Sequence, residues 1–386
     1  MASDKIQAII GETFLEMAEA LKTGRMGRPK LAITGLGSEH GEENAMEAAL
    51  MAAKQGVDVY YIGTLEREGV TTIQAADDEQ AHKAMEQLLD EKKVAGAVTM
   101  HYPFPIGVST VGRAITPAMG KEMFLATTTG TSSVDRITGM VRNAIYGIIT
   151  AKACGIENPT VGILNIDGAR QVEIILKQLQ ENGYPITFAQ SGRADGGCVM
   201  RGNDILTGAA DVMVMDSLTG NVVIKMLSAF NSGGSYESVG YGYGPGIGEN
   251  YDLLVLIVSR ASGAKVLAGA LAFGAELVQN DYISIAKQEF AAANKSGLKT
   301  LLEQSAASRK AAPAKEEAAV TAPPKEVVTA SIAGIEVMDL EDAVQLLWKN
   351  GMYAESGMGC TGPIVLVSDS NLEKAKACLK TGGYIG

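Results

Sequence analysis

Aromatic side chains are scarce in this 386-residue chain: they make up 5% of it, and tryptophan occurs once. The shortage turns the expectation away from an all-β core and toward layered α/β packing, which Ala, Gly, Val and Ile fill well. Histidine occurs three times and cysteine four times. Cys154, Cys198, Cys360 and Cys378 form no CxxC pair and have no histidine at metal-ligand spacing. That argues against a structural metal site or a disulfide framework and suits a reduced, cytoplasmic compartment. Long apolar runs are missing too. The longest apolar strand, LLVLIV at 253–258, is far short of the ~20 residues that cross a bilayer. The first residues carry Asp4 and Lys5 and then a helical stripe, Ile6, Ile10, Phe14, Met17 and Leu21, which does not read as a signal peptide. Positive charge is outnumbered, 33 Lys and Arg against 44 Asp and Glu, for a net charge of −11. Nucleic acid and anionic membrane are therefore poor partners, whereas a small anion can still be held locally by backbone N–H groups and arginines.

What is present is apolar bulk and glycine. Hydrophobic residues make up 46%, with 45 glycines, over a length that suits two or three domains. From 30 to 280, short β-branched segments alternate with helical patterns. KLAITG (30–35), VDVYYIG (57–63), AGAVTM (95–100), FLATTT (124–129), TVGILNI (160–166), ITFAQS (186–191), DVMVMD (211–216) and DLLVLIVS (252–259) read as strands. Continuous apolar strands separated by helices predict an α/β fold, a mostly parallel sheet with helices on both faces. In such sheets ligands sit beyond the carboxyl ends of the strands. We expect a large domain over 1–303. Residues 304–330, rich in Ala, Pro, Lys and Glu, read as a semi-extended tether, with a surface helix interrupted by Pro313 as the other reading. Residues 331–386 read as a small α/β unit: a helix in DLEDAVQLLWKNG, a strand in PIVLVSD, and a second helix opened by a capping box from Ser370 to Glu373.

Four constellations carry chemistry. Cys360 stands in GMGCTGP, where Gly357, Gly359 and Gly362 let backbone N–H groups approach the sulfur. It reads as a nucleophile or as a buried turn cysteine. In ADVMVMDSLTGNVVIK, a strand ends at Asp216 and a turn of Thr219, Gly220 and Asn221 enters a helix with Lys225 one turn in. A helix start of that kind favours phosphate, or is simply well capped. The glycine-rich stretch 233–250 reads as a loop, either closing over a ligand or free at the surface. It leads to Ser259 and Arg260 at a strand end, where an arginine fork suits phosphate or carbonyl oxygens, or a surface ion pair. Finally, Ser109, Thr110 and Arg113 in VSTVGRA suggest a helix start that holds an anion. His40, His82 and His101 are isolated and read as packing or surface residues. The GLGSEHG loop lacks dinucleotide spacing, and no GxxxxGK[ST] occurs, so neither NAD nor ATP is expected.

Several of these segments resemble known enzymes. GIENPTVGILNI, the run GNDILTGAADVMVMDSLTGNV and the preceding MVRNAIYGIITAKACGIE resemble the phosphate acyltransferases of phospholipid synthesis. YGPGIGENYDLLVLIVSRASG resembles the phosphotransacetylases, whose sheet is of the isocitrate dehydrogenase type. With the Ala/Pro segment and GMGCTGP, the whole chain is similar to the alpha subunits of component C of glycine, sarcosine and betaine reductase complexes. That resemblance implies a hetero-oligomer with a component C beta subunit, and selenoprotein A as the partner that supplies a carboxymethyl group. It also implies an acetyl thioester on Cys360, and inorganic phosphate as the substrate that leaves as acetyl phosphate, with no bound cofactor or metal. Phosphate binding then falls to Thr219, Gly220 and Asn221 and to Ser259 and Arg260. One departure stands out: phosphotransacetylases carry an aspartate six residues after that arginine, and here the position is Val266. The DxGAN motif of the phosphate acyltransferases is also missing near Val134–Asn143. Both departures fit a thiol carried by the protein instead of coenzyme A. A coenzyme A-dependent phosphate acetyltransferase and a non-catalytic scaffold subunit are the alternatives.

Overall fold

The computed structural model describes residues 11, 14, 17, 27–193, 196–311, 321–335, 339–359 and 362–385. Elements run in the order β1 (Lys30–Thr34), α1 (Glu42–Lys54), β2 (Asp58–Gly63), β3 (Thr71–Gln74), α2 (Asp78–Asp90), β4 (Gly96–Thr99), β5 (Val108–Ile115), β6 (Glu122–Thr131) and α3 (Arg136–Ala153). They continue with β7 (Thr160–Leu164), α4 (Ala169–Glu181), β8 (Thr187–Phe188), β9 (Val199–Met200), α5 (Gly202–Thr207), β10 (Val212–Val214), α6 (Ser217–Ala229), β11 (Gly244–Ile247), β12 (Val255–Ile257), α7 (Ala264–Gln279), α8 (Tyr282–Lys295) and α9 (Leu298–Ala311). The last are β13 (Ala330–Ala333), α10 (Leu340–Lys349), β14 (Ala354–Gly359), β15 (Gly362–Val367) and α11 (Leu372–Thr381).

The large sheet has the order β3-β2-β1-β4-β12-β11-β5-β6-β10-β7-β8, with β9 also on β7. It consists of two parallel halves, β3-β2-β1-β4-β12 and β6-β10-β7-β8. Between them, β11 pairs antiparallel with both β12 and β5, and β5 pairs antiparallel with β6. Helices cover both faces. One apolar layer gathers α1, α3, α4, α7 and α8. The other gathers Ala81, Met85, Leu88 and Leu89 of α2 with Ile224 and Leu227 of α6. The α/β fold with a mostly parallel sheet thus stands as expected. No helix among the described residues is long and apolar enough to cross a membrane.

Three expectations change. The stretch 233–250 is not all loop: β11 lies fully buried in the middle of the sheet. Its glycines permit this, because a Cβ on Gly244 would sit 1.8 Å from the Val111 carbonyl oxygen and one on Gly246 would sit 2.5 Å from the Phe104 ring. The composition change at Gln304 does not end the helix, since α9 runs to Ala311. Residues 312–320 and Ile6, Ile10 and Leu21 of the N-terminal stripe lie outside the described residues. The capping box at Ser370 is not formed either. Asp369–Asn371 is a 3-10 turn, α11 starts at Leu372 without a side-chain cap, and Glu373 accepts from Lys376 at 3.1 Å. The C-terminal sheet, order β13-β15-β14, is antiparallel throughout and has its own apolar cluster with α10 and α11.

Gly220 sets how closely α6 lies on the sheet: a Cβ there would stand 1.7 Å from the Thr127 carbonyl oxygen. Gly220→Ala should cost on the order of 3 kcal/mol by overpacking against backbone. Gly202→Ala, with nothing within 4 Å of its added Cβ, should leave stability unchanged or raise it. Chemical denaturation of the two variants checks the contrast.

Candidate functional site

The expected anion-binding residues do not converge on one pocket. Asp216 is the N-cap of α6: its carboxylate accepts from the Thr219 N–H at 3.0 Å and the Thr219 hydroxyl at 2.9 Å. Asn221 donates to the Thr128 carbonyl at 3.0 Å, which ties the helix to the end of β6. Lys225 lies nine residues beyond Asp216, about 13 Å along the helix axis. It donates to Glu237 Oε1 at 3.0 Å and to Ser259 Oγ at 3.3 Å. Partial burial pulls the Lys225 ammonium down, but Tyr243 and Glu237 beside it outweigh this and hold it above the ordinary lysine value. Glu237 is nearly buried and also accepts from Ser262 at 3.1 Å. Two of the predicted segments, the TGN helix and the end of β12, therefore meet at Lys225 and Ser259.

Arg260 turns the other way. Its guanidinium is 3.8 Å from Asp78 and lines a cavity of about 220 Å³ with Thr34, His82, Thr99 and His101, at the carboxyl ends of β1 and β4. Ser109 and Arg113 do not begin a helix; both lie on β5. Ser109 is fully buried and bonds Asn143 at 3.3 Å. Arg113 is engaged at both terminal nitrogens: it pairs with Glu122 at 2.6 Å and Glu276 at 2.5 Å, and lies 4.8 Å over the Tyr241 ring. An arginine so engaged is a packing device, so its assignment to an anion site is corrected. A short alternating segment with one arginine gives no sequence signal that separates a strand from a helix start.

Sequence reasoning missed Arg136. It opens α3, directly after the N-cap Asp135. Its guanidinium reaches Asp216 at 3.0 Å and Asp167 at 3.7 Å, and it remains 46% exposed. This places a cation at the mouth of α6, beside the helix start that was read as a phosphate turn. The C-terminal unit lies next to it. Asp339, just before α10, accepts from Gln171 of α4 at 3.2 Å. Burial, and then Asp342 and Asp167 nearby, push the Asp339 carboxyl up. Cys360 itself, together with Thr361, lies outside the described residues, between Gly359 of β14 and Gly362 of β15.

Cys154 and Cys198 are not candidate nucleophiles. Burial, and then the charge of Glu276, push the Cys154 thiol up to about 12. Burial and Glu173, whose carboxylate accepts from the thiol at 3.4 Å, do the same for Cys198. Burial raises Cys378 as well. Val266, at the position of the phosphotransacetylase aspartate, is fully buried in α7. Among the described residues, no group of three His, Cys, Asp or Glu side chains is placed to hold a metal ion.

With a thiol near 12, only about one molecule in ten thousand is thiolate at pH 8. Iodoacetamide applied to the folded chain at that pH should therefore leave Cys154 and Cys198 unmodified, and urea should expose both. Peptide mass spectrometry before and after denaturation checks this, and fast native labelling at either position would contradict it.

A family model described as "Fatty acid synthesis protein" matches residues 29–366. The glycine/sarcosine/betaine reductase complex component C subunit alpha of Peptoclostridium acidaminophilum is 57% identical over 383 residues, which covers 98% of this chain and 99% of that protein. A phosphate acyltransferase of Thermosipho africanus is 26% identical, covering 51% of this chain and 70% of that protein. Among solved structures, a branched-chain phosphotransacylase from Enterococcus faecalis V583 superposes with a TM-score of 0.48 at 16% identity, over 65% of this chain and 99% of that one. The chain belongs to the fatty acid synthesis protein family and, within it, to the group of component C alpha subunits of glycine/sarcosine/betaine reductase complexes.

Proposed function

We propose that this chain is the acyl-transfer subunit of such a cytoplasmic reductase complex, and that it passes an acetyl group from a thioester on Cys360 to inorganic phosphate. The observation that carries the reading is the position of the cysteine-bearing unit. Asp339 accepts from Gln171 of α4 and lies near Asp167, whose carboxylate is 3.7 Å from Arg136, the partner of Asp216. Phosphate is held there by Arg136 and by the N–H groups of the helix start, with Thr219, Gly220 and Asn221 shaping the turn. A phosphate oxygen attacks the thioester carbonyl carbon and forms a tetrahedral oxyanion, which backbone N–H groups or the arginine stabilise. The carbon–sulfur bond then breaks, acetyl phosphate leaves and Cys360 departs as thiolate. Thiolate is a good leaving group, so no strong general acid is needed. Selenoprotein A supplies the two-carbon unit in a step upstream of this one, and a beta subunit completes component C.

A fully buried Val266 supports a protein-borne thiol over coenzyme A, because it leaves no carboxylate to deprotonate a free thiol at that place. The segment between α9 and β13 then acts as the connection that keeps the thioester at high local concentration near the phosphate site.

Labelled acetyl phosphate should drive the step backward. We expect hydroxylamine-sensitive label on the peptide with Cys360, discharge of that label by phosphate or arsenate, and no label in Cys360→Ala. An unlabelled Cys360, with or without partner subunits, removes the thioester role. Arg136→Met should slow phosphate-dependent discharge about 10–100-fold through loss of a charge-assisted contact, and should raise the phosphate concentration needed for half-maximal rate. An unchanged phosphate dependence would move the anion site elsewhere.

A further inference from the structure

One buried amide ties together the strand ends around the start of α6. Asn143 lies within α3 and is 2% exposed. The other buried positions of that helix are mostly apolar. Thr150, a buried polar residue there, bonds the Tyr146 carbonyl of its own helix at 2.9 Å. Asn143 reaches outward instead, to three strands. Its Oδ1 accepts from the Ser132 hydroxyl at 2.7 Å, just past β6, and from the Ser109 hydroxyl of β5 at 3.3 Å. Its Nδ2 donates to the Met215 carbonyl at 3.0 Å, just past β10. A buried amide costs stability unless it is bonded, so the three contacts, and not the volume filled, account for a polar residue at this place.

We propose that Asn143 is the positioning residue of the phosphate site and sets the interval between Arg136 and Asp216. The inference rests on the function proposed above. Arg136 and Asp216 come from separate stretches of chain. Arg136 follows the short turn that leaves β6 at Ser132, and Asp216 follows Met215 directly. Asn143 grips the first residue of that turn and the last residue before Asp216 with one rigid, planar group. Its neighbour Arg142 holds the Ser132 carbonyl at 2.8 Å, and the Met215 carbonyl also accepts from the Thr127 N–H at 3.3 Å. Arg136 is seven residues ahead of Asn143 on α3, which is two turns, about 10 Å along the axis and nearly the same face. One helix thus carries both the clamp and the cation. With the amide in place, the Arg136 guanidinium stands 3.0 Å from Asp216. That bond leaves further donors of its fork for an anion at the helix start. An apolar side chain at 143 removes the partner that Ser132 and Met215 share, and the interval is no longer fixed from beneath.

Discharge of acetyl-labelled Cys360 in the full chain, followed over a range of phosphate concentrations, tests the role. Asn143→Leu should raise the phosphate concentration for half-maximal rate about 5–10-fold, the scale of one or two lost hydrogen bonds. Ser132→Ala, which removes one contact of the amide, should raise it about 2–3-fold, and gives the reading if Asn143→Leu does not fold. In the Arg136→Met background neither substitution should add anything, because the clamp acts through the arginine. A merely structural role lowers the amount of labelled chain without moving its phosphate dependence, or adds its full effect to that of Arg136→Met. Either result overturns the positioning role while a changed phosphate dependence in Arg136→Met leaves the site itself standing. An unchanged phosphate dependence in Arg136→Met overturns the site and the positioning role together.

Discussion

The antiparallel pairing of β11 between β12 and β5 is the constraint on which the rest depends. Together with the antiparallel β5–β6 pair beside it, it joins two parallel half-sheets into one and reverses strand polarity on the way across. The carboxyl ends of the two halves therefore do not share one edge, although in α/β proteins those ends are where ligands gather. The seam is possible only because β11 is nearly free of side chains where it crosses Val111 and Phe104. A residue with a Cβ at Gly244 would push the halves apart.

That reversal explains why the chemistry-bearing segments separate. Asp216 marks the end of β10 in one half, and Ser259 and Arg260 mark the end of β12 in the other. α6 spans the interval between them. Its N-cap Asp216 meets Arg136, while Lys225, about 13 Å further on, reaches Ser259. Arg260 faces a separate cavity with two histidines. Cation-bearing places are thus strung along the fold, and among the described residues Arg136, at the start of α6, and Arg170, against Gly334, lie on the side of the C-terminal unit.

Much of the fold was legible in the sequence, and for a definite reason. Buried parallel strands such as DVMVMD and KLAITG are short, β-branched and bounded by turn residues, so composition alone reveals them. β5 and β11 were not legible, because their strand character comes from neighbours: β5 carries serine, threonine and arginine, and β11 is GPGI. For the same reason, Arg113 looked like an anion ligand until Glu122 and Glu276 were seen around it. Asp216, Thr219 and Gly220 were legible because a strand-to-helix turn has a local signature. Arg136 was not, since what matters about it is its distance to a residue 80 positions away.

The seam also orders events during synthesis. Strands β5 through β10 form the second half from one continuous stretch of chain, so that half can assemble as soon as it is made. The first half cannot, because β12 pairs beside β4 although about 155 residues separate them in sequence. Until β12 is translated, the β4 edge stays open and its apolar faces wait uncovered, a condition that invites association with other nascent chains. The late strand thus acts as a closing clasp, and substitutions that delay its insertion should lower the yield of folded protein more than they lower the stability of what does fold.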